Sequence, residues 1–109
     1  MSVCEQVPWI IAYGHRPMYC SDNDDDDCVD MNNRWKADLE ALFYQYGVDV
    51  VIEGHEHSYE RLWPVFNGTV LNGSADYPYT EPRAPVHLVS GSAGCDEDLD
   101  TFNGPLGKW

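Results

Sequence analysis

Two short apolar runs separated by one amphipathic stretch restrict the folds open to this chain most strongly. Residues 9–13 predict a buried strand that stops at Gly14, and residues 48–52 form a second such run that stops before Gly54. Between them, apolar residues recur at helical spacing over residues 33–46. A strand, a helix and a strand in this order predict a right-handed crossover that joins two parallel strands.

Signals at both ends of the amphipathic stretch support the helix. Asn32 or Asn33 can cap its start, and Gly47 can end it. After Arg61 the sequence becomes rich in Pro, Gly, Asn and Tyr, which favours loops and short hairpins. Residues 86–89 then predict a third strand. The predicted fold class is therefore α/β.

Size and charge exclude several functions. With 109 residues the chain is at most one small domain. A formal net charge of −13 argues against nucleic acid or an anionic membrane as partner. An anionic substrate stays open, because a bound metal ion reverses the local potential. Residues 7–13 form the longest nearly apolar run, far below the roughly 20 residues that span a membrane. Neither size nor charge predicts an oligomeric state.

The four cysteines contain no CxxC pair and therefore favour disulfides over a zinc knuckle. Cys20 and Cys28 bracket an acidic loop, and we predict that they form a disulfide. Cys4 and Cys95 have no predicted pairing, and free buried thiols are the simpler interpretation for both.

Two glycosylation sequons, at Asn67 and Asn72, add to the secretory signature. The first six residues have neither the basic region nor the apolar stretch of a signal peptide. We therefore expect a secreted or lysosomal parent protein of which this chain is a truncated part.

Three histidines follow the first two predicted strands. His15 lies two residues after the first strand, His55 three residues after the second, and His57 two residues further on. Because ligands bind beyond the carboxyl ends of parallel strands, the crossover should bring these imidazoles to one edge. They could bind one zinc or be shared by two ions, whereas the alternative is ordinary polar residues at strand ends. His87 lies inside the third strand and is expected to be a hydrogen-bonded core or sheet-face residue.

Three segments resemble the purple acid phosphatases. Residues 9–21 resemble the histidine-bearing strand end of that family, and residues 46–61 resemble its GHxH segment with the YER sequence that follows. Residues 85–95 resemble the next strand and turn. GHxH alone is shared across the calcineurin-like phosphoesterases, but YER is typical of the large animal and plant-like class. The resemblance implies that residues 1–109 are an incomplete C-terminal portion of a catalytic domain.

The resemblance also implies a fold and a chemistry. The fold would be a fragment of a layered α/β/β/α sandwich. His15 and His55 would be ligands of a divalent metal, and His57 a ligand of the ferric ion. In the family, Fe(III) and a divalent Fe, Zn or Mn hold a phosphate monoester at acid pH. They generate the metal-bound hydroxide that attacks phosphorus.

Residues next to the histidines have weaker expectations. Glu56 could orient a ligand, but we expect an exposed loop carboxylate. Arg16 could approach a phosphate or form a salt bridge. Tyr59 and Arg61 are expected to support the site from below. Gly14 and Gly54 each precede a histidine and are expected to let the chain turn there.

The sequence contains no GDxxY or GNHE stretch, so the family's other carboxylate, tyrosine and Asn-His ligands have no counterpart. We therefore expect the isolated chain to be inactive and the parent to be an acid phosphatase. Two alternatives stay open: a non-catalytic, truncated glycoprotein fragment, or a module that binds a single metal through the three histidines.

Overall fold

The computed structural model describes residues 8–22, 33–102 and 109. In these residues one helix accompanies six strands. They are β1 (Ile11–Tyr13), α1 (Arg34–Gln45), β2 (Val50–Glu53), β3 (Tyr59–Arg61), β4 (Val65–Phe66), β5 (Thr69–Val70) and β6 (Val86–Ser90). The predicted α/β class and the three predicted strands are confirmed.

Four strands form one mixed sheet in the order β1-β2-β6-β3. β1 and β2 are parallel, with Ala12 opposite Val51, and β2 and β6 are parallel, with Val51 opposite His87. β3 runs antiparallel to β6. The carboxyl ends of β1, β2 and β6 therefore lie at the same edge of the sheet, where the loops carrying the histidines begin.

The helix begins and ends where the sequence indicates. The Asn33 side chain caps it by accepting a hydrogen bond of 2.8 Å from the Lys36 amide. Gly47, just after the helix, has a φ of +65°, a conformation that glycine adopts at little cost. Leu39 and Phe43 pack against the core from the inner face of the helix.

The hydrophobic core packs the segment after β1 against residues of β4 and β6 and the residue that follows β3. Its buried residues are Met18, Tyr19, Leu62, Val65 and Val89. Because Met18 and Tyr19 follow His15 by only a few residues, burying their side chains also fixes the path of the loop that carries His15.

A buried cation lies beside this core. The Lys36 ammonium is 3.6 Å from the centroid of the Tyr19 ring, a cation–π contact. Burial lowers the pKa of Lys36. Burial and a hydrogen bond to Glu40 raise the pKa of Tyr19 far above its usual value. The tyrosine therefore stays neutral and supports the fold by donating a hydrogen bond to the Glu40 carboxylate.

The β4–β5 hairpin has the predicted loop chemistry. Asn67 and Gly68 both have positive φ, +49° and +68°, as a two-residue turn with the right-handed strand twist requires.

The helix of the described segments is too short and too polar to cross a bilayer.

β1 is an edge strand whose side chains are poorly covered. Ile11 is 57% exposed and Tyr13 is 87% exposed. An edge strand with exposed apolar side chains is unusual in a folded domain, because such an edge pairs readily with other strands.

Candidate metal centre

His15 and His55 meet at the carboxyl ends of adjacent parallel strands. Nε2 of His15 lies 3.1 Å from Nδ1 of His55, and the rings are arranged edge to face. Two backbone hydrogen bonds join their loops: the Gly14 amide donates to the Ile52 carbonyl at 3.0 Å, and the Gly54 amide donates to the His15 carbonyl at 2.9 Å. The strand pairing thus continues into the loops and sets the distance between the imidazoles.

The spacing of this pair fits one metal ion. Two nitrogens about 2.05 Å from a common ion and 3.1 Å apart subtend about 98° at the ion, between the octahedral and tetrahedral angles. In the part of the chain described, no third histidine, cysteine or carboxylate has a ligand atom within 4.8 Å of both. The pair therefore supplies part of a metal site, and further ligands are needed to complete one.

A buried carboxylate lies beneath the pair. Glu53, at the end of β2, is 2% exposed, and its Oε1 accepts a hydrogen bond of 3.1 Å from the Met18 amide in the loop after His15. Its Oε2 lies 3.4 Å from Nδ1 of His87 in β6. The prediction that His87 is a hydrogen-bonded core residue is confirmed. Glu53 was not singled out from the sequence, although a charged residue at the end of an apolar run was a usable signal.

The loop after β2 is held close to the loop after β6. A Cβ placed on Gly91 would lie 2.1 Å from the carbonyl oxygen of Glu56, so only glycine fits at this position without a shift. Neither Gly14 nor Gly54 has a positive φ. His55 does, at +69°, an uncommon conformation for a residue with a side chain.

His57 makes its contacts with the segment after β6. Its Nε2 lies 3.4 Å from Oε2 of Glu97, and its Nδ1 lies 3.2 Å from the Asp98 carbonyl oxygen. His57, Cys95 and Glu97 place one ligand atom each within 4.8 Å of one another. The structure therefore brings two of the three predicted ligands together and places the third in a different group.

Glu56 is 3% exposed, so the expectation of an exposed loop carboxylate was wrong. The close approach of the Gly91 backbone covers this loop, and the Glu56 carboxylate lies near Asp22 and Cys20. Ser58 donates a hydrogen bond of 3.3 Å to Asp22 in the same cluster. Cys20 is disulfide-bonded and therefore offers no thiolate to a metal.

Of the three other cysteines, only Cys95 lies in the described residues. Cys28, the partner predicted for Cys20, and Cys4 lie outside the described residues. Cys95 is a free, half-buried thiol.

A cavity of about 300 Å³ opens beside His15 and is lined by His15, Arg16 and Trp35. The Trp35 ring packs over the loop, since a Cβ on Gly14 would lie 3.2 Å from it. The Arg16 guanidinium forms a wall of the cavity that attracts anions, and the Trp35 indole forms an apolar wall. Trp35 was read from the sequence only as part of the apolar stripe of the helix.

The YER segment forms β3, an element that the sequence did not predict. Tyr59 is 63% exposed, so it does not support the site from below as expected. Arg61, on the same face of the strand, is also exposed, and its guanidinium lies 5.1 Å from the centroid of the Tyr79 ring.

The two sequons differ in accessibility. Asn67 is exposed at the turn of the β4–β5 hairpin. The amide oxygen of Asn72 is buried and, in the described part of the chain, has no hydrogen-bond partner.

Two imidazoles at the carboxyl edge of a parallel sheet form part of a candidate metal site in an α/β fold, and comparison with known proteins identifies the family. Residues 3–59, about half of the chain, match the calcineurin-like phosphoesterase family. The chain belongs to this family.

Its relatives are acid phosphatases. Over 102 residues it is 55% identical to acid phosphatase type 7 of Homo sapiens, and the match covers 87% of this chain and 23% of that protein. It is 35% identical to purple acid phosphatase 18 of Arabidopsis thaliana over 106 residues, covering 96% of this chain and 21% of the relative.

Among solved structures, a purple acid phosphatase from yellow lupin seeds superposes with a TM-score of 0.70 at 23% identity, over 99% of this chain and 19% of that one. This likeness shows the fold. The chain spans about a quarter or less of the length of each of these relatives.

Proposed function

We propose that this chain is the C-terminal portion of the catalytic domain of a metal-dependent acid phosphatase, which hydrolyses phosphate monoesters at acid pH. The observation that carries the proposal is the His15–His55 pair, with nitrogens 3.1 Å apart at the carboxyl ends of adjacent parallel strands. The identity of the relatives supports the activity.

The chain's own residues would hold the divalent metal and orient the phosphate. His15 and His55 would supply imidazole nitrogens to the divalent metal, and the backbone hydrogen bonds between their loops keep the imidazoles from separating. When bound, a dinuclear centre would offset charge on the phosphate and lower the pKa of a water molecule. The Arg16 guanidinium, at the wall of the cavity beside His15, would attract the phosphate, and the Trp35 indole on the same cavity would contact the ester group.

A longer parent accounts for the exposed edge of the sheet. Ile11 and Tyr13 on β1 stay in water although β1 borders the site. Further strands in the parent would cover this edge and bring the carboxylate and tyrosine ligands that the sequence lacks. In this proposal, residues 1–109 are the incomplete, C-terminal portion of the catalytic domain, and His57 would reach the ferric ion there.

For the metals we propose Fe(III) together with a divalent Fe, Zn or Mn. The parent would be a secreted or lysosomal glycoprotein. Asn67 is the better acceptor for the glycan, because the amide of Asn72 is partly buried. Endoglycosidase treatment of the secreted protein tests this: a variant lacking Asn67 that still loses the same mass would contradict it.

The activity is tested by assaying p-nitrophenyl phosphate turnover and metal content in the parent and in the 109-residue chain. We expect turnover by the parent and none by the chain alone. His55→Asn should lower both turnover and metal content, and Asn is chosen because it tolerates the positive φ at this position.

Tyr77→Phe, at an exposed site, serves as the control variant. A parent that binds no metal and turns over no ester would favour the non-catalytic alternative. Comparable turnover by the isolated chain would show that the half-site is sufficient.

A further inference from the structure

We propose that Glu53 is a positioning residue for the His15–His55 pair, because its buried carboxylate holds together the two loops that carry these imidazoles. Glu53 lies at the end of β2, two residues before His55. It acts through the backbone of the loop after β1, not on the metal or the substrate. Taking the pair as metal ligands rests on the proposed function, but the geometry of the pair does not.

One oxygen of the Glu53 carboxylate reaches the loop that carries His15. Its Oε1 accepts a hydrogen bond of 3.1 Å from the amide of Met18, three residues after His15. Met18 is 0% exposed, so an amide that lost this acceptor would stay buried and unsatisfied, at the full cost of its desolvation. The hydrogen bond between the Gly54 amide and the His15 carbonyl holds the near end of the same loop. The two bonds together determine where the His15 imidazole lies.

The other oxygen of the carboxylate keeps it in one orientation. Oε2 of Glu53 lies 3.4 Å from Nδ1 of His87 in β6. The His87 ring packs edge to face against the buried Tyr19 ring, and the His87 carbonyl accepts a hydrogen bond of 3.0 Å from the Leu62 amide. Because His87 is itself held by these contacts, it keeps Oε1 of Glu53 directed at the Met18 amide.

The burial pattern of β2 shows that packing alone does not explain a carboxylate at this position. Val51 and Glu53 are the two buried residues of the strand, and side chains two apart lie on the same face. An apolar side chain would continue this face without the cost of burying a charged group. The hydrogen bonds of Glu53 are therefore the reason for its presence here.

The same pair of strands provides a matched control at its opposite end. Asp49, just before β2, accepts a hydrogen bond of 2.8 Å through Oδ2 from the amide of Ile10, just before β1. This is the same kind of bond between the same two segments, but it lies at the edge of the sheet away from the histidines. Its loss should loosen β1 without changing the distance between the imidazoles.

The test measures the geometry of the pair by calorimetric titration of the tag-free 109-residue chain with Ni²⁺–nitrilotriacetate. The chelator fills all but two neighbouring positions of the ion, and imidazole is a good ligand for nickel. Two imidazole nitrogens 3.1 Å apart suit those two positions. We expect one complex per chain, with affinity reduced to that of a single imidazole in His15→Ala.

Three variants separate the hydrogen bond from general stability. Glu53→Met keeps the length of the side chain but removes both acceptors, and it should raise the Kd by at least roughly tenfold, since outer-shell partners of a metal are worth 10- to 100-fold. Glu53→Gln keeps an oxygen that can accept from the Met18 amide and should restore the affinity. Asp49→Leu should leave the Kd close to that of the unmodified chain. Circular dichroism confirms that each variant is folded at the temperature of the titration.

Hydrogen exchange in the unmodified chain tests the same coupling if Glu53→Met fails to fold. Coupling between two binding events is reciprocal, so if the bond to Met18 favours binding by the pair, binding must also stabilise that bond. Saturation with Ni²⁺–nitrilotriacetate should therefore slow exchange of the Met18 amide and leave the Ile10 amide unchanged, as read by mass spectrometry of the fragmented chain.

Several results would overturn the proposal. They are no binding by the unmodified chain, an unchanged Kd in folded Glu53→Met, unchanged exchange at Met18, or a loss of affinity as large in Glu53→Gln or Asp49→Leu as in Glu53→Met. The last result would mean that general loosening of the sheet, not the Glu53 hydrogen bond, sets the affinity. Turnover of a phosphate ester enters none of these measurements, so a parent without phosphatase activity would refute the proposed function and leave this inference standing.

Discussion

Replacing Gly91 with alanine should displace the loop that carries His55. The added Cβ would lie 2.1 Å from the Glu56 carbonyl oxygen and 3.2 Å from the His55 amide nitrogen, so one of the two loops must move by about 1 Å to restore contact. Overpacking of this kind costs about 1–3 kcal/mol. At about 2 kcal/mol, the Tm of a domain of this size falls by about 8–16 °C.

Function should respond more strongly than stability. A displacement of about 1 Å at a catalytic site can cost on the order of 100-fold in rate, so kcat/KM of the parent should fall far more than its folded fraction. Thermal unfolding followed by circular dichroism, and turnover of p-nitrophenyl phosphate, measure the two effects.

Gly54→Ala is the matched control for Gly91→Ala. Gly54 lies in the facing loop, after β2, but its Cβ would meet only ordinary contacts, at 3.8 Å and beyond. We expect Gly54→Ala to stay within about 1 kcal/mol of the unmodified chain, in the range of tolerated substitutions. If Gly91→Ala is as stable and as active as Gly54→Ala, the packing argument is wrong.

Two further predictions concern a carboxylate and an indole. Burial raises the pKa of Glu60 above its usual value, although a hydrogen bond from the Ser21 amide opposes the shift. The stability that the protonated Glu60 carboxyl contributes is therefore present at low pH and is lost as the pH rises through the raised pKa. Relative to the unmodified chain, Glu60→Gln should therefore gain stability as the pH rises from below the usual pKa of a glutamate through the raised pKa, measured by urea unfolding, and parallel pH profiles would contradict this. Trp35→Ala in the parent should raise KM about two- to tenfold for an aryl phosphate and less for glycerol phosphate, since one aromatic contact is worth about 0.5–1.5 kcal/mol. Trp63→Ala, which removes an indole stacked on Tyr79, is the control, and an unchanged ratio of aryl to alkyl turnover would refute the role of Trp35.

Local sequence patterns were sufficient for the elements that define the sheet edge. The apolar runs before Gly14 and Gly54 became β1 and β2, and the stripe between them became α1 with Asn33 as its cap. Because parallel strands joined by a helix end at the same edge, the meeting of two imidazoles followed from topology alone.

β3 could not be predicted in the same way. Tyr59–Arg61 has only three residues, too few for an alternating pattern, and it is stabilised by antiparallel pairing with β6, nearly thirty residues away. Burial of Glu56 has a similar origin, because it depends on the Gly91 backbone from another strand. Neither contact has a local sequence signal.

The position of His57 shows where topology ceases to determine the site. His15 and His55 are tied to strand ends by backbone hydrogen bonds, whereas His57 is tied to Asp98 and Asp100, in a segment without strand or helix. Topology therefore determines the partners of His15 and His55, but not those of His57.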